Sequence, residues 1–294
     1  MSASVDGYKA MESASRPLNS GKEKSDNFYD DLFAFCKRNK FGFHPMVSAY
    51  NVKWWIENFD WWVEQLDRFD MGPFFSSVMA LEVRNNDWTE EAIQQYNDLM
   101  DHMMDYQIKR IGLKNVAYEI ITDQRNEVKD EGGGYLPWLL VEAVDFTPCT
   151  LNKTLTVRLG DLAIAPCHRT SYNHLLYGKF KLENDKIVGI EAINPSMAIK
   201  VLMINYQYGM HGCDTCDYNT VCLRGCLGCQ QEEMHDPWFP IPGVCHFQKA
   251  KYKHLIKKYE ELGIIDIIKQ INPYQQSYPQ AQRILNLYEK VGKD

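Results

Sequence analysis

Hydrophobic residues in the first third of the chain follow two alternating periods. Short apolar runs typical of buried strands are separated by longer segments in which apolar residues recur at spacings of three and four. This order of strand and helix, repeated three times, predicts an α/β fold with helices packed on a parallel sheet. The predicted strands cover residues 3–7, 43–51 and 76–85, and the predicted helices cover 26–39, 52–69 and 86–108.

Aromatic residues mark one face of the first two predicted helices. We interpret these stripes as core packing and not as a cofactor site, because a buried helix face needs large apolar side chains. For the third helix, Asp87 and Glu90 have the spacing of a capping box, which predicts the helix start. The stripes consist of Phe28, Leu32, Phe33 and Phe35 in the first helix, and of Trp55, Phe59, Trp62 and Leu66 in the second.

A charged stretch with three consecutive glycines predicts a connection between domains. Alternating apolar residues return after it. Two such runs in residues 154–167 are hinged at Gly160, so we predict a β-hairpin that ends at Cys167. Helices are predicted at 195–207 and 248–271, followed by an exposed helical remainder. The predicted parts are a domain at 1–110, a connector at 111–146, a cysteine-rich domain at 147–250 and a helical segment at 251–294.

Composition excludes several classes of protein. With 294 residues and 45% hydrophobic content the chain can bury a sizeable core. The net charge is −7 and no run of Lys and Arg stands out, so we expect no nucleic-acid partner. The first twenty residues lack the apolar core of a signal peptide, and no uncharged apolar run reaches the roughly 20 residues of a membrane span. We therefore expect a cytoplasmic protein without membrane contact.

Cysteine usage is unusual for that compartment. Eight of the nine cysteines lie from Cys149 onward, and five fall between Cys213 and Cys229. Because cytoplasmic thiols stay reduced, this density favours metal ligation or redox chemistry over disulfides. A structural zinc site is one reading, since Cys-x2-Cys steps suit tetrahedral Zn²⁺. The irregular steps of two, five, three and two residues favour iron-sulfur clusters, and accidental free thiols are the third reading.

The cysteine order carries a specific pattern. A Cys-Gly-Cys hairpin precedes Cys-x2-Cys-x5-Cys-x3-Cys, a gap and a last cysteine. This order resembles the SPASM domain found behind radical S-adenosylmethionine enzymes that modify peptides or proteins, including those of the anaerobic sulfatase-maturase type. The step from glycine to cysteine is six residues here, where four is usual in that family. The matching positions are Cys149, Gly160, Cys167, Cys213, Cys216, Cys222, Cys226 and Cys245.

The resemblance implies two auxiliary 4Fe-4S clusters with interleaved ligands. An inner cluster would be held by Cys149, Cys167 and Cys226. Many family members supply a fourth inner ligand shortly after the first cysteine, and this chain has none there. Cys229 fills that vacancy or is a bystander in a crowded loop, and spacing alone leaves both open. The outer cluster would be held by Cys213, Cys216, Cys222 and Cys245.

The front of the chain carries the same resemblance. Its Ser-Val-Asp-Gly sequence, with an arginine twelve residues after the serine, looks like the fourth-strand motif of a radical S-adenosylmethionine barrel. In related enzymes these two side chains contact the carboxylate of S-adenosylmethionine, for which hydroxyl and guanidinium donors are suited. The residues are Ser4 and Arg16, and Asn51, at the end of the predicted fifth strand, would face the same ligand. The resemblance thus implies a partial (β/α) barrel of strands four to six at 1–110, ahead of the cysteine-rich domain.

One required motif is missing from the sequence. Radical S-adenosylmethionine enzymes cleave the cofactor at a cluster bound by Cys-x3-Cys-x2-Cys, and the only cysteine before Cys149 is Cys36. Cys36 lies in a predicted amphipathic helix, where we interpret it as a small buried hydrophobe. We therefore expect that barrel strands one to three and this motif belong to a partner chain, or that the reading frame is truncated. The chain alone is expected not to cleave S-adenosylmethionine.

A catalytic candidate follows the second hairpin cysteine. His168 occupies the place where related enzymes carry a carboxylate base, and its titration near neutral pH suits that role. A histidine beside a ligand is at least as often a hydrogen-bond donor to cluster sulfur. The function implied by the resemblance is radical modification of a peptide or protein substrate. The alternatives are a zinc-binding module and a non-catalytic module that only recruits a peptide.

Overall fold

In the computed structural model, helices and strands form a mixed fold in two compact units. One unit comprises Met1–Leu140 with His246–Asp294, and the other comprises Val141–Cys245. The predicted domain limits stay predictions. The structure describes residues 2–5, 25–39, 42–45, 47–68, 88–122, 156–167, 169–202, 211–222, 227–275, 278 and 280–292.

A parallel strand pair opens the first unit. Strand β1 (Ser2–Val5) pairs with β2 (Gly42–Pro45), and helix α1 (Asp26–Arg38) lies between them in sequence. Parallel neighbours need a crossover of this kind, so the predicted order of strand, helix and strand is confirmed here. The third predicted strand, at 76–85, lies outside the described residues.

Helix α1 buries only part of the predicted aromatic stripe, together with residues outside it. Tyr29, Phe33 and Cys36, at steps of four and three, are fully buried. Phe35 is 44% exposed and lies near Arg38, whose guanidinium carbon is 5.7 Å from its ring centre. The aromatic pattern therefore located the helix, but it placed the buried stripe too broadly.

Residues 52–68 form two helices, whereas the sequence predicts one helix at 52–69. Helix α2 (Val52–Glu57) ends at Asn58 and α3 (Phe59–Arg68) follows directly. The Asn58 side chain donates to the Trp54 carbonyl at 2.9 Å, a local bond that competes with a continuous helix. Trp55 and Trp62 are fully buried as predicted, with ring centres 5.1 Å apart.

The long helix α4 (Glu90–Ile111) starts at a different cap from the predicted one. Thr89 is its N-cap, and its hydroxyl accepts a hydrogen bond from the Ala92 amide at 3.2 Å. Asp87 lies outside the described residues. The helix ends at Gly112, whose φ of +86° is a conformation that glycine adopts without strain. Helix α5 (Leu113–Thr122) follows.

The second unit contains a four-stranded antiparallel sheet. Its strand order is β3 (Thr156–Arg158), β4 (Ala163–Ala165), β5 (Gly178–Glu183) and β6 (Lys186–Ala192). Strands β3 and β4 pair on either side of Gly160, which confirms the predicted hairpin. Helix α6 (Pro195–Leu202) begins where predicted, and α7 (Leu227–Met234) is a helix that the sequence analysis did not predict.

Three helices complete the chain. The predicted helix at 248–271 is divided into α8 (Pro242–Glu261) and α9 (Ile264–Gln270) by Gly263, which has a left-handed conformation. Helix α10 (Ala281–Val291) confirms the helical remainder, but the predicted exposure is wrong, because one face is buried. None of the described helices is both long and apolar enough to cross a membrane.

Phe33 and Phe35 provide a matched test of the aromatic core. Phe33 packs against Trp61 and Trp62, with ring centres 6.3 and 5.9 Å away. We expect Phe33→Ala to lower the free energy of unfolding by about 3–5 kcal/mol, and Phe35→Ala by about 1 kcal/mol at most. Urea unfolding followed by tryptophan fluorescence measures both. Equal destabilisation by the two substitutions would contradict the assigned helix face.

Candidate metal centre

A tight turn holds the thiol of Cys167 just after β4. The Cys167 amide donates to Oγ1 of Thr170 at 2.9 Å, and the Thr170 amide donates to the Cys167 carbonyl at 3.2 Å. The Thr170 hydroxyl lies 3.3 Å from Sγ of Cys167 and 3.2 Å from its carbonyl oxygen. Hydroxyl donors at this distance stabilise thiolate ligands. The turn therefore fixes the direction of the thiol.

Arg158 ties the hairpin to the segment after Cys167. Its guanidinium donates to both carboxylate oxygens of Asp161, at 2.8 and 2.5 Å. The same group donates to the Ser171 carbonyl at 2.9 Å and to Oδ1 of Asn173 at 3.1 Å. The hydrogen bond from Arg158 lowers the pKa of Asp161 to about 2, so this carboxylate is charged throughout the neutral range.

An apolar patch lies beneath two of the predicted ligands. It consists of Ile164, Tyr177, Leu227 and Trp238, and both Cys167 and Cys213 pack against it. The sequence analysis assigned Cys167 to the inner cluster and Cys213 to the outer one. Thiols from both predicted sets therefore share one surface, and an apolar surrounding of this kind restricts solvent access to a metal site.

Residues 211–222 form a series of turns. The Cys216 amide donates to the Cys213 carbonyl at 3.3 Å, and the Cys222 amide donates to the Tyr218 carbonyl at 2.9 Å. The three cysteines of this segment are partly exposed. Cys245, the last predicted outer ligand, lies in the first turn of α8 and is also partly exposed. Short turns joined by such bonds suit thiolate ligands, since they bring closely spaced cysteines to one side of the chain.

Helix α7 packs closely on the segment that follows Cys167. A Cβ atom on Gly228 would lie 2.7 Å from Cγ of Arg169 and 2.9 Å from the Arg169 carbonyl oxygen, so only glycine fits. Arg169 pairs with Glu232 at 3.0 Å, and the Tyr172 hydroxyl donates to the same carboxylate at 3.1 Å. Cys229 in the first turn of this helix is only 3% exposed.

Two tyrosines lie close to cysteines of the site. Burial raises the pKa of Tyr177 to about 12, and the charge of Cys167 adds to that shift. The Tyr177 hydroxyl is buried and has no hydrogen-bond partner among the described residues. Burial, followed by the bond to Glu232, raises the pKa of Tyr172, and Cys229 makes a smaller contribution. An unsatisfied buried hydroxyl beside a thiol fits a site whose occupant accepts hydrogen bonds, as cluster sulfur does.

The structure leaves some predicted site residues undescribed. Arg16, Cys149, His168 and Cys226 lie outside the described residues. Ser4 lies in β1, opposite His44 of β2. Asn51 is buried, and its Oδ1 accepts a hydrogen bond from the Ser48 amide at 2.7 Å, so this side chain has a role in the turn before α2. Its predicted contact with a cofactor stays a prediction.

The described thiols do not assemble into a complete metal site. Within the part of the chain that the structure describes, no three His, Cys, Asp or Glu side chains form a group that could hold a metal ion. The four predicted outer ligands all lie in this part and do not form such a group, and the outer cluster stays a prediction. Of the three predicted inner ligands only Cys167 is described, and Cys229, which the sequence analysis left as either a fourth ligand or a bystander, is described as well. Thiolate loops converge on the metal that they bind, because binding and local folding share one free energy.

Sequence reasoning missed the residues that surround the thiols. Thr170, Tyr177 and Arg158 were not predicted to belong to the site, and neither was the contact between Gly228 and Arg169. The sequence offered two signals. Thr170 lies three residues after the predicted ligand Cys167, and Gly228 lies beside Cys229. The remaining contacts depend on long-range packing that no local pattern contains.

Comparison with known proteins supports the fold. No protein-family model matches the chain, and no curated protein matches its sequence. Its fold is similar to that of a polyhistidine-tagged anSMEcpe with bound AdoMet, at a TM-score of 0.51 and 13% identity over 97% of this chain and 68% of the other. Native anSMEcpe with bound AdoMet and Cp18Cys peptide gives a TM-score of 0.50 and 13% identity over 92% of this chain and 69% of the other. These are anaerobic sulfatase-maturing enzymes of the radical S-adenosylmethionine class.

The close packing of α7 can be tested with two glycines of the same unit. Gly228→Ala places a methyl group against Arg169, and the resulting strain of about 1–3 kcal/mol exceeds the gain in helix propensity of about 1 kcal/mol. We expect faster hydrogen exchange of the backbone amides of Leu227–Met234. Gly160→Ala is the control, because a methyl group there meets no atom within 4 Å. Unchanged exchange in Gly228→Ala would contradict the packing.

Proposed function

We propose that the chain is the SPASM-like part of a radical S-adenosylmethionine enzyme that modifies a peptide or protein. The observation that carries the proposal is the interleaved order of eight cysteines in a chain whose fold is similar to that of anSMEcpe. A zinc module would favour regular pairs of cysteines, whereas irregular steps suit clusters that receive thiolates from separate segments. Both the cysteine order and the fold are needed, because a similar fold without the thiols could bind no cluster.

The cysteine-bearing unit would hold two 4Fe-4S clusters. Cys213, Cys216, Cys222 and Cys245 are proposed for the outer cluster. Cys149, Cys167 and Cys226 are proposed for the inner one. When bound, such clusters transfer electrons or bind substrate at an open iron. The chain's own residues would direct the Cys167 thiol, through the turn closed by Thr170, and restrict water through the apolar patch.

The first unit would contribute to binding of S-adenosylmethionine. Ser4 of β1 and Arg16 are proposed to contact its carboxylate, and Asn51 is proposed to face the same ligand, as in the related barrels. Any hydrogen bond from Asn51 to that ligand would use its amide nitrogen, since Oδ1 already accepts a hydrogen bond from the Ser48 amide. The solved structures of anSMEcpe contain AdoMet, which supports the same ligand class for this fold. A partial barrel of strands four to six belongs to this proposal.

A partner would supply the cluster that cleaves the cofactor. The motif Cys-x3-Cys-x2-Cys is not among these 294 residues. We propose that another polypeptide segment carries it, together with the remaining barrel strands, and that a peptide or protein is the substrate. His168 follows the ligand Cys167 and is proposed either as the general base or as a hydrogen-bond donor to cluster sulfur.

Metal content tests this proposal directly. Protein prepared anaerobically and supplied with iron and sulfide is expected to contain about eight irons and about eight sulfides per chain. Cys216→Ala should remove about four irons, because it deletes a proposed outer ligand. Cys36→Ala is the matched control, since this thiol is fully buried in α1 of the other unit and should leave the iron content unchanged. Iron, sulfide and zinc are measured in the same samples.

Two results would contradict the proposal, one from the metal analysis and one from an assay of S-adenosylmethionine cleavage. Colourless protein with stoichiometric zinc would favour the zinc-binding module. The same loaded protein, given S-adenosylmethionine and dithionite, is expected to form no 5′-deoxyadenosine above a cluster-free control, because the cleaving motif is absent. Formation well above that control would show that the chain needs no partner for this step.

A further inference from the structure

We propose that strand β6 is an interface between two copies of this chain, which pair edge to edge in antiparallel orientation. β6 (Lys186–Ala192) is the last strand of the four-stranded sheet, and no other described strand pairs with its outer side. An edge strand presents a row of backbone donors and acceptors to a further strand. The inference does not depend on a metal or on the proposed function, because it uses only the hairpin of β5 and β6.

Large apolar side chains of this hairpin are exposed. Every residue of β6 except Gly189 is exposed. Ile187 and Ile190 are 62% and 60% exposed, and Leu182 on the neighbouring strand β5 is 47% exposed. A single copy would leave this apolar area in water, and contiguous exposed apolar patches often mark interaction surfaces.

A β-bulge places the two isoleucines of β6 on one face of the sheet. The register with β5 skips Val188, which is therefore an extra residue in β6. In a regular strand Ile187 and Ile190, three positions apart, would point to opposite faces. Here they lie opposite Leu182 and Phe180, which are two positions apart on β5, so they share a face. The bulge thus gives β6 one apolar face.

The other face of the hairpin carries charges of alternating sign. Glu191 lies opposite Lys179 of β5, and Lys186 lies opposite Glu183. Lys186 and Glu191 are both exposed, and neither forms an ion pair with any residue that the structure describes. Both charges are therefore available to a further strand at the outer edge.

Strand β6 is complementary to itself when its direction is reversed. Two copies that pair about a two-fold axis between residues 188 and 189 place Lys186 of one opposite Glu191 of the other, and Ile187 opposite Ile190. Each contact then occurs twice, as in any interface of this symmetry. The bulge makes this register possible, because it puts both members of each pair on the same face.

This pairing would continue both faces of the sheet across the interface. Opposite charges and apolar side chains that lie directly across from each other stabilise adjacent strands, whereas like charges destabilise them. A shifted register would separate the opposite charges, so the pattern specifies one pairing. With the last two residues of each series from the second copy, the apolar series is Phe180, Ile190, Ile187 and Leu182, and the charged series is Lys179, Glu191, Lys186 and Glu183.

Charge reversal tests this register. Glu191→Lys and Lys186→Glu each place like charges across the interface twice, and each should weaken dimerisation about tenfold or more. Sedimentation equilibrium over a range of concentrations measures the dissociation constant. An equimolar mixture of the two variants should dimerise as the wild type does, because every glutamate then meets a lysine.

The mixture also controls for damage to the hairpin itself. Each substitution creates a like-charge pair with β5 inside its own chain, and mixing does not remove that pair. Recovery in the mixture therefore reports the interface alone. Ile187→Thr, which keeps a strand-forming residue, should also weaken dimerisation, whereas Ile199→Thr should not, since Ile199 is similarly exposed but lies in α6.

Three results would overturn the inference. The first is a wild-type chain that stays monomeric up to about 1 mM. The second is a dimer that neither charge variant weakens, because its interface would lie elsewhere. The third is slow hydrogen exchange of the β6 amides in the monomer, which would mean that another segment or a bound peptide covers the strand. Failure to bind iron, in contrast, would count only against the proposed function.

Discussion

The contact between Gly228 and Arg169 is the constraint on which the cysteine-rich unit depends. A glycine lets α7 approach the backbone that follows Cys167, and the pair of Arg169 with Glu232 holds the helix there. The ion pair is partly exposed and contributes little free energy by itself. Its value is geometric, because it fixes a helix with one cysteine against a turn with another. The apolar patch that includes Leu227 packs against Cys167 and restricts solvent access to it.

Much of the backbone was predictable from periodicity, and the differences have local causes. The parallel pair β1 and β2, the hairpin at Gly160 and the long helix α4 all follow the apolar pattern. The apolar pattern contains no information about one side chain that bonds back to its own helix, so it did not predict the helix break at Asn58. Gly263 similarly divides a continuous amphipathic run. Exposure of α10 was predicted wrongly, because its buried face is covered by tertiary packing.

The candidate site was predictable in its chemistry but not in its surroundings. The order of the cysteines, through its resemblance to the SPASM pattern, suggests which thiols could share a cluster, although the two proposed sets interleave along the chain. Spacing does not reveal that Thr170 directs the Cys167 thiol or that Arg158 braces the loop, since these bonds join residues brought together by the fold. It also leaves Cys229 undecided. The structure buries that thiol in the first turn of α7, a helix that the sequence analysis did not predict.

The most direct test of a two-cluster unit is to locate its metals. Anomalous scattering measured at the iron absorption edge, on crystals grown without oxygen, distinguishes iron from zinc and gives each position. We expect two compact groups of iron, one beside Cys167 and the other beside Cys213 and Cys216. Single zinc atoms between these thiols, or no metal near Cys167, would contradict the account.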